Sequence, residues 1–114
     1  MTAFLTLDDV LALHAGSIQR FGGDAGVKDL GLLESAIAVP QATFGGEDLH
    51  ETLAEKAGAY LYHVAKNHAF VDGNKRTALA CALVFLELNG QRWVASDEAL
   101  IAVTLEVASG TRSK

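Results

Sequence analysis

The chain has 114 residues, half of them apolar, with a formal net charge of −5 and one cysteine. That length fits a single domain spanning residues 1–114, the acidic balance without a basic run argues against direct nucleic-acid binding, and lone Cys81 cannot pair within the chain. The longest uncharged apolar run, residues 77–86, falls well short of the roughly 20 residues needed to span a bilayer. The N-terminus also lacks a basic stretch followed by an apolar core, so a cytoplasmic protein without membrane association is expected.

Thr6 with Asp9 three positions on predicts a capping box. Leu7, Val10, Leu11, His14 and Ile18 then recur at helical spacing, and Gly22-Gly23 stops this first helix. His14 lies on the apolar stripe and reads as a packed or half-buried histidine. Asp29 caps a short second helix carrying Leu32, Leu33, Ala36 and Ile37, with Glu34 facing away, and Pro40 ends it. Residues 40–50, PQATFGGEDLH, form a connection longer than helix pairs usually need, and such loops are often functional. Here Gly45-Gly46 permits unusual backbone angles, while Thr43 and Phe44 offer a polar and an apolar contact. A third helix is predicted over 51–66, with Leu53, Ala57, Tyr60, Leu61 and Val64 on one face. His50 and His63 read as surface or packing residues.

The fourth helix, residues 73–88, is apolar nearly all round, which places it in the middle of a bundle. Cys81 is then a buried structural thiol. Asn89-Gly90 supplies a left-handed C-cap. Residues 91–95 read as extended. Ser96, Asp97 and Glu98 open a fifth, amphipathic helix carrying Leu100, Ile101, Thr104, Leu105 and Ala108, and the tail from Gly110 frays. The whole is a compact all-α bundle around a buried central helix, about residues 73–89. So high an apolar fraction in a small chain also suggests surface that a partner covers.

Between the third and fourth helices lies HAFVDGNKRT, residues 68–77, which concentrates groups a plain turn does not need. Gly73 to Arg76 open the fourth helix, where free backbone N–H groups and the helix dipole favour an anion. Lys75 and Arg76 add two cations, and Arg binds phosphate oxygens bidentately. A phosphate site held by Gly73, Asn74, Lys75 and Arg76 is the natural reading. Asp72 suits Mg²⁺, which takes one or two carboxylates together with substrate phosphate oxygens. His68 suits a general base, its neutral form favoured by the helix N-terminus and the adjacent cations. Phe70 reads as an anchor for this loop. No GxxxxGK[ST] occurs, which excludes a Walker-A site. A metal-dependent hydrolase would lack a third protein ligand.

These ten residues resemble the signature of the Fic/Doc superfamily, His-x-Phe-x-Asp/Glu-Gly-Asn-x-Arg, and Lys75 points to its Doc (death-on-curing) branch. Residues 29–36, DLGLLESA, and 40–46, PQATFGG, are also Doc-like, so the resemblance covers roughly residues 5–92. It implies a helical Fic/Doc domain acting with ATP or another nucleoside triphosphate and Mg²⁺. It also implies that the loop with Thr43, Phe44 and Gly45 lies over the active site and positions the target. The Fic branch transfers AMP to protein hydroxyls. The Doc branch is implied to be a kinase that phosphorylates a threonine of translation elongation factor Tu. Two departures favour the kinase: Lys75 stands where Fic enzymes place Gly, and Leu79 where they place a second Arg. Gly73 departs the other way, being the Fic-like residue at its position. A non-catalytic binding module is the alternative from another class. The Doc resemblance implies the toxin of a toxin–antitoxin pair. No Ser/Thr-x-x-x-Glu-Gly/Asn inhibitory motif occurs, so restraint is expected from a separate antitoxin protein.

Overall fold

A computed structural model describes residues 1–91 of the chain. Thr6 accepts the Asp9 N–H while the Asp9 carboxylate accepts the Thr6 N–H, the reciprocal cap that starts α1 (Leu7–Phe21). Gly22 ends α1 with a φ of 85°, a conformation that side chains resist. Asp29 caps α2 (Leu30–Ala38) by accepting the Leu32 N–H. Pro40 does not end helical geometry outright. It sits in a single 3₁₀ turn, Val39–Gln41, where a missing N–H costs little.

The long connection is built rather than irregular. Strands β1 (Thr43–Phe44) and β2 (Glu47–Asp48) pair antiparallel, Thr43 opposite Asp48 and Phe44 opposite Glu47. Gly45 and Gly46 make the turn with φ of 61° and 84°. Two successive positive angles suit a tight hairpin, and glycine accepts them without a Cβ clash. This hairpin is the one addition to an otherwise helical fold among the described residues.

Helix α3 (Leu53–Asn67) starts later than its periodicity suggested, because the Thr52 side chain accepts the Glu55 N–H and fixes the start there. Helix α4 (Asn74–Leu88) begins one residue after Gly73, which is its left-handed cap (φ 80°) rather than part of the first turn. Gly90, also at 80°, follows its end as expected. The extended stretch, the fifth helix and the frayed tail expected beyond lie outside the described residues.

α3 and α4 form the centre. Ala57, Leu61 and Val64 of α3 and Ala78, Cys81, Ala82 and Phe85 of α4 are all buried. The alanines let the two helices approach closely, and each large apolar side chain so buried contributes about 1.5–3 kcal/mol. Tyr60 packs on Phe85, and its hydroxyl accepts the Leu5 N–H at 2.9 Å, tying the N-terminal segment down. Burial pushes the Tyr60 hydroxyl and the Cys81 thiol each up to about 12, so Cys81 is the protonated, structural thiol expected. α4 is not enclosed all round by the described residues. Leu79 and Leu83 are half-buried beside an apolar groove against α1, and Leu88 is exposed. Among the described residues, no helix is long and apolar enough to cross a membrane.

Candidate active site

The connection between α3 and α4 is short, and three devices fix its path. First, it is stitched to the segment before α2. The Ala69 carbonyl accepts the Lys28 and Asp29 N–H groups at 2.7 and 3.0 Å, Val71 N–H donates to Gly26, and Val27 bridges Phe70. Second, the Asn74 side chain clamps the loop onto its own helix. Its Oδ1 accepts the Phe70 N–H at 3.0 Å, and its Nδ2 donates to the Phe70 carbonyl at 2.9 Å. Third, Phe70 is buried and stacks on the buried His14 ring, centroids 3.7 Å apart and planes within 7°.

His68 caps α3 in the left-handed region (φ 51°, ψ 46°), the one non-glycine residue with positive φ among those described. That conformation costs a residue with a Cβ about 1–2 kcal/mol, and such strain tends to collect at functional sites. It turns the chain sharply and leaves His68 exposed at the rim of the next turn.

Together His68 and the unbroken run from Val71 to Arg76 line one open cleft of about 350 Å³. The structure thus brings His68, Asp72, Gly73, Asn74, Lys75 and Arg76 together as expected. Their contacts differ in detail. The first main-chain bond of α4 runs from the Thr77 N–H to the Gly73 carbonyl at 2.9 Å, so the N–H groups of residues 74–76 have no partner within the helix. Lys75 is exposed. Arg76 lies along the cleft wall, its Nη2 donating to the Gly22 carbonyl at 3.1 Å and its guanidinium 5.3 Å from the Phe21 ring centre. The Asn74 amide is engaged at both ends by Phe70. Its side chain therefore shapes the loop, and only its main-chain N–H remains for an anion.

Asp72 is held from the far side by the turn after α1. Its Oδ2 accepts the Asp24 N–H at 2.8 Å, and a Cβ placed on Gly23 would lie 3.2 Å from its own Cβ. The second carboxylate oxygen takes no bond from the described residues. No cluster of three His, Cys, Asp or Glu side chains that could hold a metal occurs among the described residues. Among the described residues, then, Asp72 is not part of a protein-only metal cage. One carboxylate with a free oxygen, beside a cationic helix N-terminus, fits Mg²⁺ that arrives with phosphate oxygens.

Thr43, Phe44 and Gly45 do not line this cleft. Their hairpin is rooted at the other end of α3 by Lys56, about 18 Å along the helix from His68 at 1.5 Å per residue, and Phe44 is exposed. His14 and Asp24 are the site residues that sequence reasoning missed. The buried His14 Nε2 lies 2.8 Å from the Asp72 carbonyl, a contact spanning 58 positions. An imidazole on an apolar stripe was the only signal available for it.

A family model described as the Fic/DOC family matches residues 4–86. The chain is 54% identical over 90 residues to a protein named Toxin Doc from Mycolicibacterium smegmatis, covering 79% of this chain and 67% of that protein. It is 40% identical over 103 residues to Protein kinase doc of Escherichia phage P1, covering 90% and 80% respectively.

Proposed function

This chain belongs to the Fic/DOC family, and on that premise we propose that it is the toxin of a toxin–antitoxin pair and acts as a protein kinase. It transfers the γ-phosphoryl group of ATP, or another nucleoside triphosphate, to a protein hydroxyl. By the Doc resemblance the acceptor is a threonine of translation elongation factor Tu, and the modification blocks translation in the cytoplasm. A cognate antitoxin protein restrains it from outside. The names of the two relatives, a toxin and a protein kinase, support this reading. The observation that carries it is the single cleft in which an exposed histidine, a carboxylate with a free oxygen and a cationic helix N-terminus meet.

The roles follow from the chemistry each group can perform. The N–H groups of the first turn of α4, with Lys75 and Arg76, bind the phosphates and stabilise charge as it develops. Asp72 would hold Mg²⁺, which would neutralise phosphate charge and favour the departing diphosphate. His68 accepts the proton of the acceptor hydroxyl as its oxygen bonds to the γ-phosphorus, and the bond from that phosphorus to the β–γ bridging oxygen breaks. The rate gain comes from position and charge, not from a covalent enzyme intermediate. Lys75 favours the kinase over AMP transfer, because its side chain would crowd the approach that glycine leaves open.

Parallel incubations with γ-labelled and α-labelled ATP, Mg²⁺ and a cell lysate as acceptor test this. Protein label from the γ position alone is the expected result. Label from the α position identifies an AMP transferase. Label from neither, with folded protein, overturns the enzyme reading and favours a binding module.

A further inference from the structure

We propose that His14 is a positioning residue: its imidazole aims Asp72 and the first turn of α4 at the cleft. The proposal rests on the phosphotransfer reading above, since it concerns how Asp72 is presented to Mg²⁺. His14 is 2% exposed, far from solvent for a group with two polar nitrogens. Its Nε2 lies 2.8 Å from the Asp72 main-chain oxygen, and a carbonyl only accepts, so Nε2 carries the hydrogen. The opposite side of Asp72 is fixed by the Asp24 N–H on Oδ2. The residue is thus gripped at its main chain from α1 and at its side chain from the turn after α1. Directly beyond the gripped carbonyl comes Gly73 in the left-handed conformation, where an added Cβ would stand 3.7 Å from His14 Cδ2. The peptide that His14 holds therefore sets both the carboxylate direction and the start of α4.

A packing role alone would need only the ring. Stacking on Phe70 fixes the plane of the imidazole, and the hydrogen bond uses that plane. The two contributions can be separated by substitution. His14→Phe keeps the stacked ring and loses the donor. His14→Gln loses the ring but places an amide N–H near the Nε2 position.

The experiment is calorimetric titration of the 114-residue chain with ATP, with and without Mg²⁺, beside the γ-label transfer rate and the melting temperature of each variant. His14→Phe is expected to raise the Mg²⁺ concentration that supports half-maximal ATP binding by about tenfold, in line with losing an outer partner of a metal ligand, and to leave Mg²⁺-free ATP affinity unchanged. His14→Gln restores the wild-type Mg²⁺ dependence even where its melting temperature is lower. Wild-type Mg²⁺ dependence in His14→Phe, or equal loss in both variants, overturns the inference. A wild-type protein with neither transfer nor Mg²⁺-dependent ATP binding overturns the phosphotransfer reading, and the inference with it. Should His14→Phe fail to fold, proton–nitrogen spectra of the wild type decide. The expected signature is a slowly exchanging His14 Nε2–H whose resonance shifts when Mg²⁺ and ATP are added together. A resonance lost to solvent exchange or indifferent to them contradicts the proposal.

Discussion

The two ends of α3 (Leu53–Asn67) each gather polar groups, and they use them in opposite ways. At the N-terminal end Lys56 is 2% exposed, and its ammonium is spent entirely inward. It donates to the Asp48 carboxylate at 3.1 Å, to the Glu51 carbonyl at 3.2 Å and to the His50 carbonyl. Three donors meet three acceptors, so this cation holds the hairpin to the helix and has nothing left for a ligand. At the C-terminal end His68, Lys75 and the free oxygen of Asp72 face an open cleft without side-chain partners among the described residues. Polar density is therefore a poor guide to a site. What separates the two ends is whether the fold has satisfied its own polar groups. The groups that shape the cleft, His14, Asn74 and Asp24, each bond to the loop between α3 and α4, and they hold in place the groups that face the cleft.

That contrast predicts which substitutions lose activity and which lose stability. His68→Ala should lower turnover by about 10²–10⁴-fold, with no loss of melting temperature, since its side chain bonds to nothing in the fold described. Steady-state label transfer and a thermal scan on the same sample check both halves. Lys56→Met should do the reverse, costing about 3 kcal/mol of stability because a buried, paired cation leaves its acceptors behind. Denaturant titration measures that cost. Asn74→Ala falls between the two. It removes two hydrogen bonds, worth about 1 kcal/mol each, and it loosens the loop carrying Asp72. Both the unfolding midpoint and the affinity for Mg²⁺ with ATP should fall, and a change in only one would split the shaping role from the binding role.

A separate effect, read through pH, lies in the core between the ends. Tyr60 and Cys81 both sit with values raised to about 12 by burial. Raised folded-state values mean that the protonated forms favour folding. Their contribution is complete below the ordinary thiol value of 9.0 and is lost as pH rises towards about 12. Each group then weakens the fold progressively as pH rises through its own window. Denaturant midpoints measured from pH 8 to 11 should fall, less steeply in Cys81→Ala. A flat profile would contradict the burial argument.

Much of this was legible in the sequence, for local reasons. The Thr6–Asp9 box, the Asp29 cap, the Gly22 stop and the crowded run 68–77 are all written within a few consecutive residues, and each formed where its chemistry suggested. The hairpin was not seen because strands of two residues carry no periodicity, although Gly45-Gly46 was a turn signal in plain view. The burial of Lys56 was hidden by its type, since lysine is seldom buried unless paired, and its partners lie in the preceding loop. The sequence places His14 as a packed histidine, which it is. Its grip on Asp72 depends on the folded placement of α1 against α4, which no local pattern encodes. For Asn74 the phosphate assignment took account of the helix N-terminus but not of the Phe70 main chain, which claims the whole amide.

On the proposed function, chemistry belongs to the end of α3 left unsatisfied and architecture to the end that is saturated. The decisive measurement is γ-label transfer per folded molecule for wild type, His68→Ala and Lys56→Met at one temperature, with the folded fraction read from the same samples. Lys56→Met is expected to keep wild-type transfer per folded molecule, and His68→Ala to lose about 10² or more. Equal losses in the two variants, or transfer that survives His68→Ala, would contradict it.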